Sequence, residues 1–276
     1  TTVVPMSTVS LQEAADQLGV HYMTVYRYVR LGRLPARKVG GTWEVDPTDL
    51  ESLRRGHDRS VRPKRSADWA KRLEARLLEG DEAGAWGVVE GALGSGSAPA
   101  ESYTDLIGPA LTSVGARWHA GQLSIAEEHL ATSVVLRLIG RLGPRFARKG
   151  RNKGVVVVTT PPGERHFIPS LMVSDFFRGA GFEVIDLGAD VPVEALSGIV
   201  EGLDGLVAVC ISSTRVNAER AVRRVVKAAN KAAPDVPVLL GGASIQDADH
   251  ATTLGADGYA KDAPGAVEVL LELVGG

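Results

Sequence analysis

The apolar positions change period along the chain and divide it into regions. Leu11, Ala14, Ala15 and Leu18 recur at helical spacing on one face, and Val25 and Val29 give the next stretch a second stripe. Gly19 between them permits a sharp turn, so the spacing predicts a helix-turn-helix whose second helix runs from His21 to Arg30. Leu34–Val39 and Thr42–Val45 flank Gly40-Gly41, a dipeptide suited to the positive φ angles of a tight hairpin, and a wing is expected there. Asp46-Pro47 then opens a short helix ending near Arg55. From Ala67 to Gly150 the period is helical throughout, with helices expected near 68–79, 82–93, 101–120 and 124–142 and a break at Gly94-Ser-Gly-Ser-Ala-Pro99. Four helices of that length suit a bundle. Beyond Lys153, β-branched runs at Val155–Thr159, Glu183–Leu187, Leu206–Ile211, Val236–Leu240 and Gly258–Ala260 alternate with helical stretches. These are βα units of a Rossmann-like (flavodoxin-like) doubly wound parallel sheet, whose ligands belong at the carboxyl ends of the strands.

The resulting fold class is multidomain α/β. A winged helix-turn-helix is expected over residues 1–60, a polar basic linker over 61–66, a four-helix bundle over 67–150 and the Rossmann-like domain over 151–276.

Composition narrows the picture. With 276 residues, 44% hydrophobic and 23% charged, the chain has the make-up of a soluble globular protein that can bury more than one core. No apolar run approaches the roughly 20 residues of a membrane span and the first residues are polar, so a cytoplasmic location without membrane attachment is expected. The single cysteine, Cys210, lies in an apolar strand, where it reads as a small buried hydrophobe. The net charge of −2 hides an uneven distribution, since residues 1–66 carry eleven Lys/Arg against seven Asp/Glu. That basic end is a candidate polyanion surface. Tyr22, Thr24, Arg27 and Tyr28 on the second helix are placed to reach base edges and phosphates, with Arg37, Lys38 and Trp43 on the wing.

The loop after the first parallel strand reads Thr160-Pro-Pro-Gly-Glu-Arg-His166; Ser212-Ser-Thr214 follows the third strand and Gly241-Gly242 the fourth. A loop histidine can offer neutral imidazole to a metal while a carboxylate orients the ring through its other nitrogen. The three segments resemble the cobalamin-binding signature of methionine synthase and the mutases, Asp-x-His-x-x-Gly followed by Ser-x-Leu and Gly-Gly. Glu164 stands where that signature has Asp, Pro169 where it has Gly and Thr214 where it has Leu. The resemblance implies His166 as the lower axial ligand of cobalt, with Glu164 as its orienting carboxylate. It also implies small residues at Ser212, Gly241 and Gly242, beside Thr214, that leave room for the displaced dimethylbenzimidazole tail.

In the helical region Trp118-His119 precedes Glu128-His129, with nine residues between the tryptophan and the glutamate. This resembles the Trp-x9-Glu-His motif of CarH-type light-responsive regulators, cobalamin-binding members of the MerR family. The resemblance implies that Trp118, Glu128 and His129 contact the upper face of adenosylcobalamin, and that His119 is the residue able to replace the adenosyl group on cobalt after photolysis. It further implies a transcriptional regulator, not an enzyme, that holds operator DNA as a dark homo-oligomer, a tetramer in that family, and releases it in light. Two rival readings remain: a corrinoid carrier protein of a methyltransferase system, and a related photosensor using a linear tetrapyrrole (bilin) with or instead of adenosylcobalamin.

Overall fold

In a computed structural model the chain divides into two compact units, Thr1–Arg65 and Ser66–Gly276. The structure describes residues 8–18, 22–30, 34–39, 42–51, 66–147, 150 and 152–275. The expected turn at Gly19, the residue His21, the hairpin dipeptide Gly40-Gly41, the helix end near Arg55 and the linker 61–65 lie outside them.

The first unit holds β1 (Val9–Ser10), α1 (Leu11–Leu18), α2 (Tyr22–Arg30), β2 (Ala36–Val39) and β3 (Thr42–Val45), followed by helical residues 47–51. β3 lies between β1 and β2 in an antiparallel sheet, with Val39 opposite Thr42. Leu11, Ala14, Ala15, Val25, Leu34, Val45 and Leu50 form one buried cluster, so the apolar stripes of both helices meet the wing in a single core. Asp46 starts the last helical turn by accepting the Thr48 N–H at 2.8 Å.

The second unit opens with α3 (Ser66–Glu79) and α4 (Glu82–Gly94), separated by a turn in which the Asp81 side chain accepts the Gly84 N–H. The expected helix 101–120 is built in three contiguous pieces: Pro99–Glu101, a π-helical stretch Ser102–Ile107, and α5 (Gly108–His119). Pro109 has no N–H and its ring crowds the preceding turn, so the wider π turn, in which Gly108 N–H bonds the Tyr103 carbonyl, relieves both at once. A Ser124/Glu127 capping box then starts α6 (Ile125–Leu142).

The sheet consists of β4 (Val155–Thr159), β5 (Glu183–Asp186), β6 (Leu206–Ser212), β7 (Val238–Gly241) and β8 (Gly258–Ala260), all parallel, in the order β5-β4-β6-β7-β8. Helices α7 (Ile168–Ala180), α8 (Val193–Val200), α9 (Glu219–Ala232) and α10 (Ala248–Thr253) make the crossovers, and α11 (Ala263–Gly275) follows the last strand. β4 is buried at every position, as a central parallel strand must be. The strand order reverses between β4 and β6, which puts the loops after these strands at the topological switch point.

Helix α7 serves both layers. Ile168 joins the bundle core with Leu171, Met172 and Phe176 packed against it, while Phe177 belongs to the sheet core. Beneath this contact Tyr103 is fully buried and its hydroxyl donates to Asp175 Oδ2 at 2.6 Å, while Arg178 donates to Asp175 Oδ1 at 2.8 Å. The Tyr103 ring stacks on Phe146 with centroids 4.9 Å apart. The regions expected as 67–150 and 151–276 thus form one packed unit. No described helix is long and apolar enough to cross a membrane.

Candidate corrinoid site

The loop after β4 is held by its neighbours on both sides. Thr160 Oγ1 donates to the Gly188 carbonyl and accepts the Asp190 N–H. Asp190 in turn donates its N–H to the Glu164 carbonyl and accepts the Gly163 N–H on its carboxylate at 2.6 Å. Asp190 adopts φ 54°, a left-handed conformation that aspartate tolerates better than most side chains, and it does so where these two bonds require it.

Glu164 is 1% exposed and is the hub of the loop. Its Oε1 accepts both the backbone N–H and the ring Nδ1 of His166, at 2.9 and 2.6 Å. Its Oε2 accepts the N–H groups of Thr214 and Arg215, each at 2.7 Å. A glutamate at this position therefore spans two strand-end loops. Burial pushes its carboxyl upward, but the N–H donors of His166, Arg215 and Thr214 and the His166 ring outweigh burial and hold it below the ordinary glutamate range. A depressed carboxyl contributes stability above the unfolded value of about 4.3, lost as pH falls through the lower folded value. We expect the two loops to stay joined through the range where an ordinary glutamate titrates and to separate only below it. Carboxyl-detected NMR of Glu164 between neutral and acid pH checks this; a midpoint at or above the ordinary value contradicts it.

With Nδ1–H donated to Glu164, the neutral ring of His166 carries its lone pair on Nε2, and the side chain is 61% exposed. That is the donor set a cobalt ligand needs: an accessible nitrogen on an oriented ring, with a carboxylate behind it. Pro169 falls in the first turn of α7, where a missing N–H costs nothing. Thr214 meets the site through its backbone N–H rather than its side chain.

Ser212 and Ser213 are buried at the end of β6, and Ser244 Oγ donates to Ser213 there. Gly242 has φ +97°, and a Cβ on it would lie 2.3 Å from the Ser213 carbonyl oxygen, so only glycine lets these two loops approach. A Cβ on Gly241 would lie 3.0 Å from the Ala260 carbonyl oxygen.

At the bundle end Trp118 is 39% exposed and its ring lies 4.9 Å from that of His119, tilted by 57°. Glu128 accepts the Thr132 hydroxyl and pairs with the ring of His129, which is 75% exposed. Arg117 bonds Glu74 at 2.7 Å and ties this helix end to α3. Ile125 and Leu130 are also exposed here.

In the first unit Tyr22 is exposed and stacks on Tyr26, Arg37 and Lys38 are exposed on β2, and Tyr28 and Trp43 are half-buried against the core. Thr24 and Arg27 lie on α2, with side chains outside the described set. Sequence reasoning missed Thr160, Asp190, Tyr103 and Asp175. Nothing in the local pattern marks them, because each gains its role from a loop or helix distant in sequence.

Comparison with known proteins gives this geometry a setting. Two profiles described as B12 binding domain match residues 69–142 and 154–268, and one described as helix-turn-helix domain matches residues 8–58. The dimethylamine corrinoid protein of Methanosarcina barkeri is 30% identical over 193 residues, covering 68% of this chain and 88% of that protein. The chain belongs to the corrinoid-binding proteins. The corrinoid fold is shared with the monomethylamine corrinoid protein of Methanosarcina barkeri, matched at TM-score 0.67 and 20% identity over 75% of this chain and 99% of that one. The HTH-type transcriptional repressor CarH of Myxococcus xanthus is 29% identical over 160 residues, covering 58% of this chain and 52% of that protein. A helix-turn-helix head on a B12-binding body makes this corrinoid protein a cobalamin-binding regulator in outline.

Proposed function

We propose that the chain is a cobalamin-dependent photoreceptor and transcriptional repressor that holds operator DNA as an adenosylcobalamin-bound oligomer in the dark and releases it in light. The observation that carries this reading is the joining of a helix-turn-helix head to a corrinoid body whose bundle bears Trp118-His119 and Glu128-His129. When bound, adenosylcobalamin supplies a Co–C bond that visible light breaks. The chain supplies the rest. His166, oriented by Glu164, would hold the metal, Trp118, Glu128 and His129 would contact the adenosyl group, and that group would keep His119 from the metal. His119 would be the residue able to take the adenosyl group's place, and a shift of the bundle on its loss would break a contact between copies. Several weak DNA heads act together in an oligomer, so dissociation lowers operator occupancy by orders of magnitude. Signal becomes affinity through assembly.

The test is an absorption spectrum before and after green light, with gel filtration in parallel. Light is expected to change the spectrum and reduce the particle size; a size unaltered by light defeats the proposal. His119→Ala is expected to give an illuminated spectrum different from wild type, and an identical spectrum removes His119 from the scheme.

A second reading, a corrinoid carrier in methyl transfer, is favoured by the number of methylamine corrinoid proteins among the relatives. Transfer of a methyl group to and from the reduced corrinoid form, at rates that support turnover, would establish it.

A further inference from the structure

Helix α9 divides sharply into two faces. Val222, Val225, Val226 and Ala229 are buried in the sheet-side core. On the opposite side stand Arg220, Arg224, Lys227 and Lys231, all exposed. Their spacing puts the four side chains within an arc of about 60° along roughly 16 Å of helix. Among the described residues none of the four forms a salt bridge. Arg223, which flanks the row, is turned to the Thr253 carbonyl, and Glu219 faces His250 at 3.7 Å. Like charges three and four residues apart repel along a helix, so the row is held without internal compensation. It also runs against its background, since the chain beyond residue 66 carries twenty Lys/Arg against twenty-six Asp/Glu.

An uncompensated cationic row fits a polyanion. The centre of a protein interface is enriched in aromatic residues, Met and Arg and depleted of Lys and Ala. This face instead has Ala221 and Ala228 beside the cations and no aromatic or large aliphatic residue among them. We propose that the stripe on α9 binds the phosphate backbone of duplex DNA without reading sequence, adding to the affinity of the N-terminal head. The inference rests on the reading that this chain binds DNA.

The test uses the full-length, cobalamin-loaded chain in the dark and a long mixed-sequence duplex, with affinity followed by fluorescence anisotropy across a salt series. The variant R220Q/R224Q/K227Q/K231Q is expected to bind more weakly at low salt. Its plot of log affinity against log salt should be shallower by roughly 0.9 for each phosphate no longer neutralised, about 2 to 4 in all. The charge-keeping variant R220K/R224K is expected to retain the wild-type slope. Circular dichroism checks the helix content, and R224Q/K227Q with half the slope change replaces the quadruple variant if that one does not fold. A slope equal to wild type overturns the stripe. So does an unchanged slope with an altered gel-filtration size, which would make the row a contact between copies. A wild-type chain that binds no duplex at any salt overturns the DNA-binding reading itself and the stripe with it.

Discussion

His166→Ala is expected to lose cobalamin about 100-fold or more readily than wild type, a larger loss than the 10- to 100-fold typical of removing a group that only orients a metal ligand. His166 is the one histidine on a strand-end loop of the sheet; His250, the other histidine of that region, sits in helix α10. Glu164 calibrates the comparison, because Glu164→Gln leaves the imidazole present but weakens its hold on Nδ1. That variant belongs within the 10- to 100-fold range. Cobalamin absorbance remaining after desalting, compared across the three proteins, ranks them. Equal retention and unaltered spectra in His166→Ala would remove this residue from the site.

The second large effect concerns stability. In Asp175→Ala the Tyr103 hydroxyl, fully buried, loses its acceptor, and Arg178 loses its partner. An unsatisfied buried hydroxyl costs about 1–3 kcal/mol and the broken ion pair adds to it, for about 3 kcal/mol in all. The half-exposed Arg178 can turn to water, which keeps the figure below that of a wholly buried pair. For a unit of this size the loss corresponds to a fall in Tm of roughly 6–12 °C. Tyr103→Phe keeps the Asp175–Arg178 pair and removes only one bond, so a fall of about half that is expected. Calorimetry on the full chain distinguishes the two, and a Tm for Asp175→Ala close to wild type would show that this contact does not hold the bundle to the sheet.

Why these effects differ in how far the sequence announces them is instructive. The parallel sheet was legible because β-branched runs alternate with helical stretches, and burial on both faces leaves its central strands little other composition, while the last strand, Gly258–Ala260, has no β-branched residue. The loop around His166 was legible because its residues are close in sequence and lie where a doubly wound sheet puts its ligands. Asp190 and the N–H groups of Thr214 and Arg215 were not, since their part in the loop arises from folding across 27, 50 and 51 positions. The α7–bundle contact escaped for a related reason. Tyr103 and Asp175 each sit on a helix whose period explains burial but not the partner, 72 residues away. The helix predicted over 101–120 was right in kind, while its interruption by a π turn depends on how the chain accommodates Pro109.

That π turn also sets the phase of the helix beyond it. A π turn contains one more residue than the α turn it replaces, so each of its residues advances the helix by less than the roughly 100° of an α-helix and the residues beyond it are displaced by one position relative to an unbroken α pattern. The extra residue within Ser102–Ile107 therefore fixes which way the far end of α5 faces, although it lies more than ten positions before Trp118. Tyr103 is pinned inside that same stretch by Asp175. The azimuth of Trp118 and His119 about their helix is thus referenced to an anchor in the sheet layer, and a one-residue deletion between Tyr103 and Pro109 would let the stretch close as an ordinary α turn with both rings near their present heading, whereas a deletion within Leu111–Ala116 would turn them by about a quarter of a revolution.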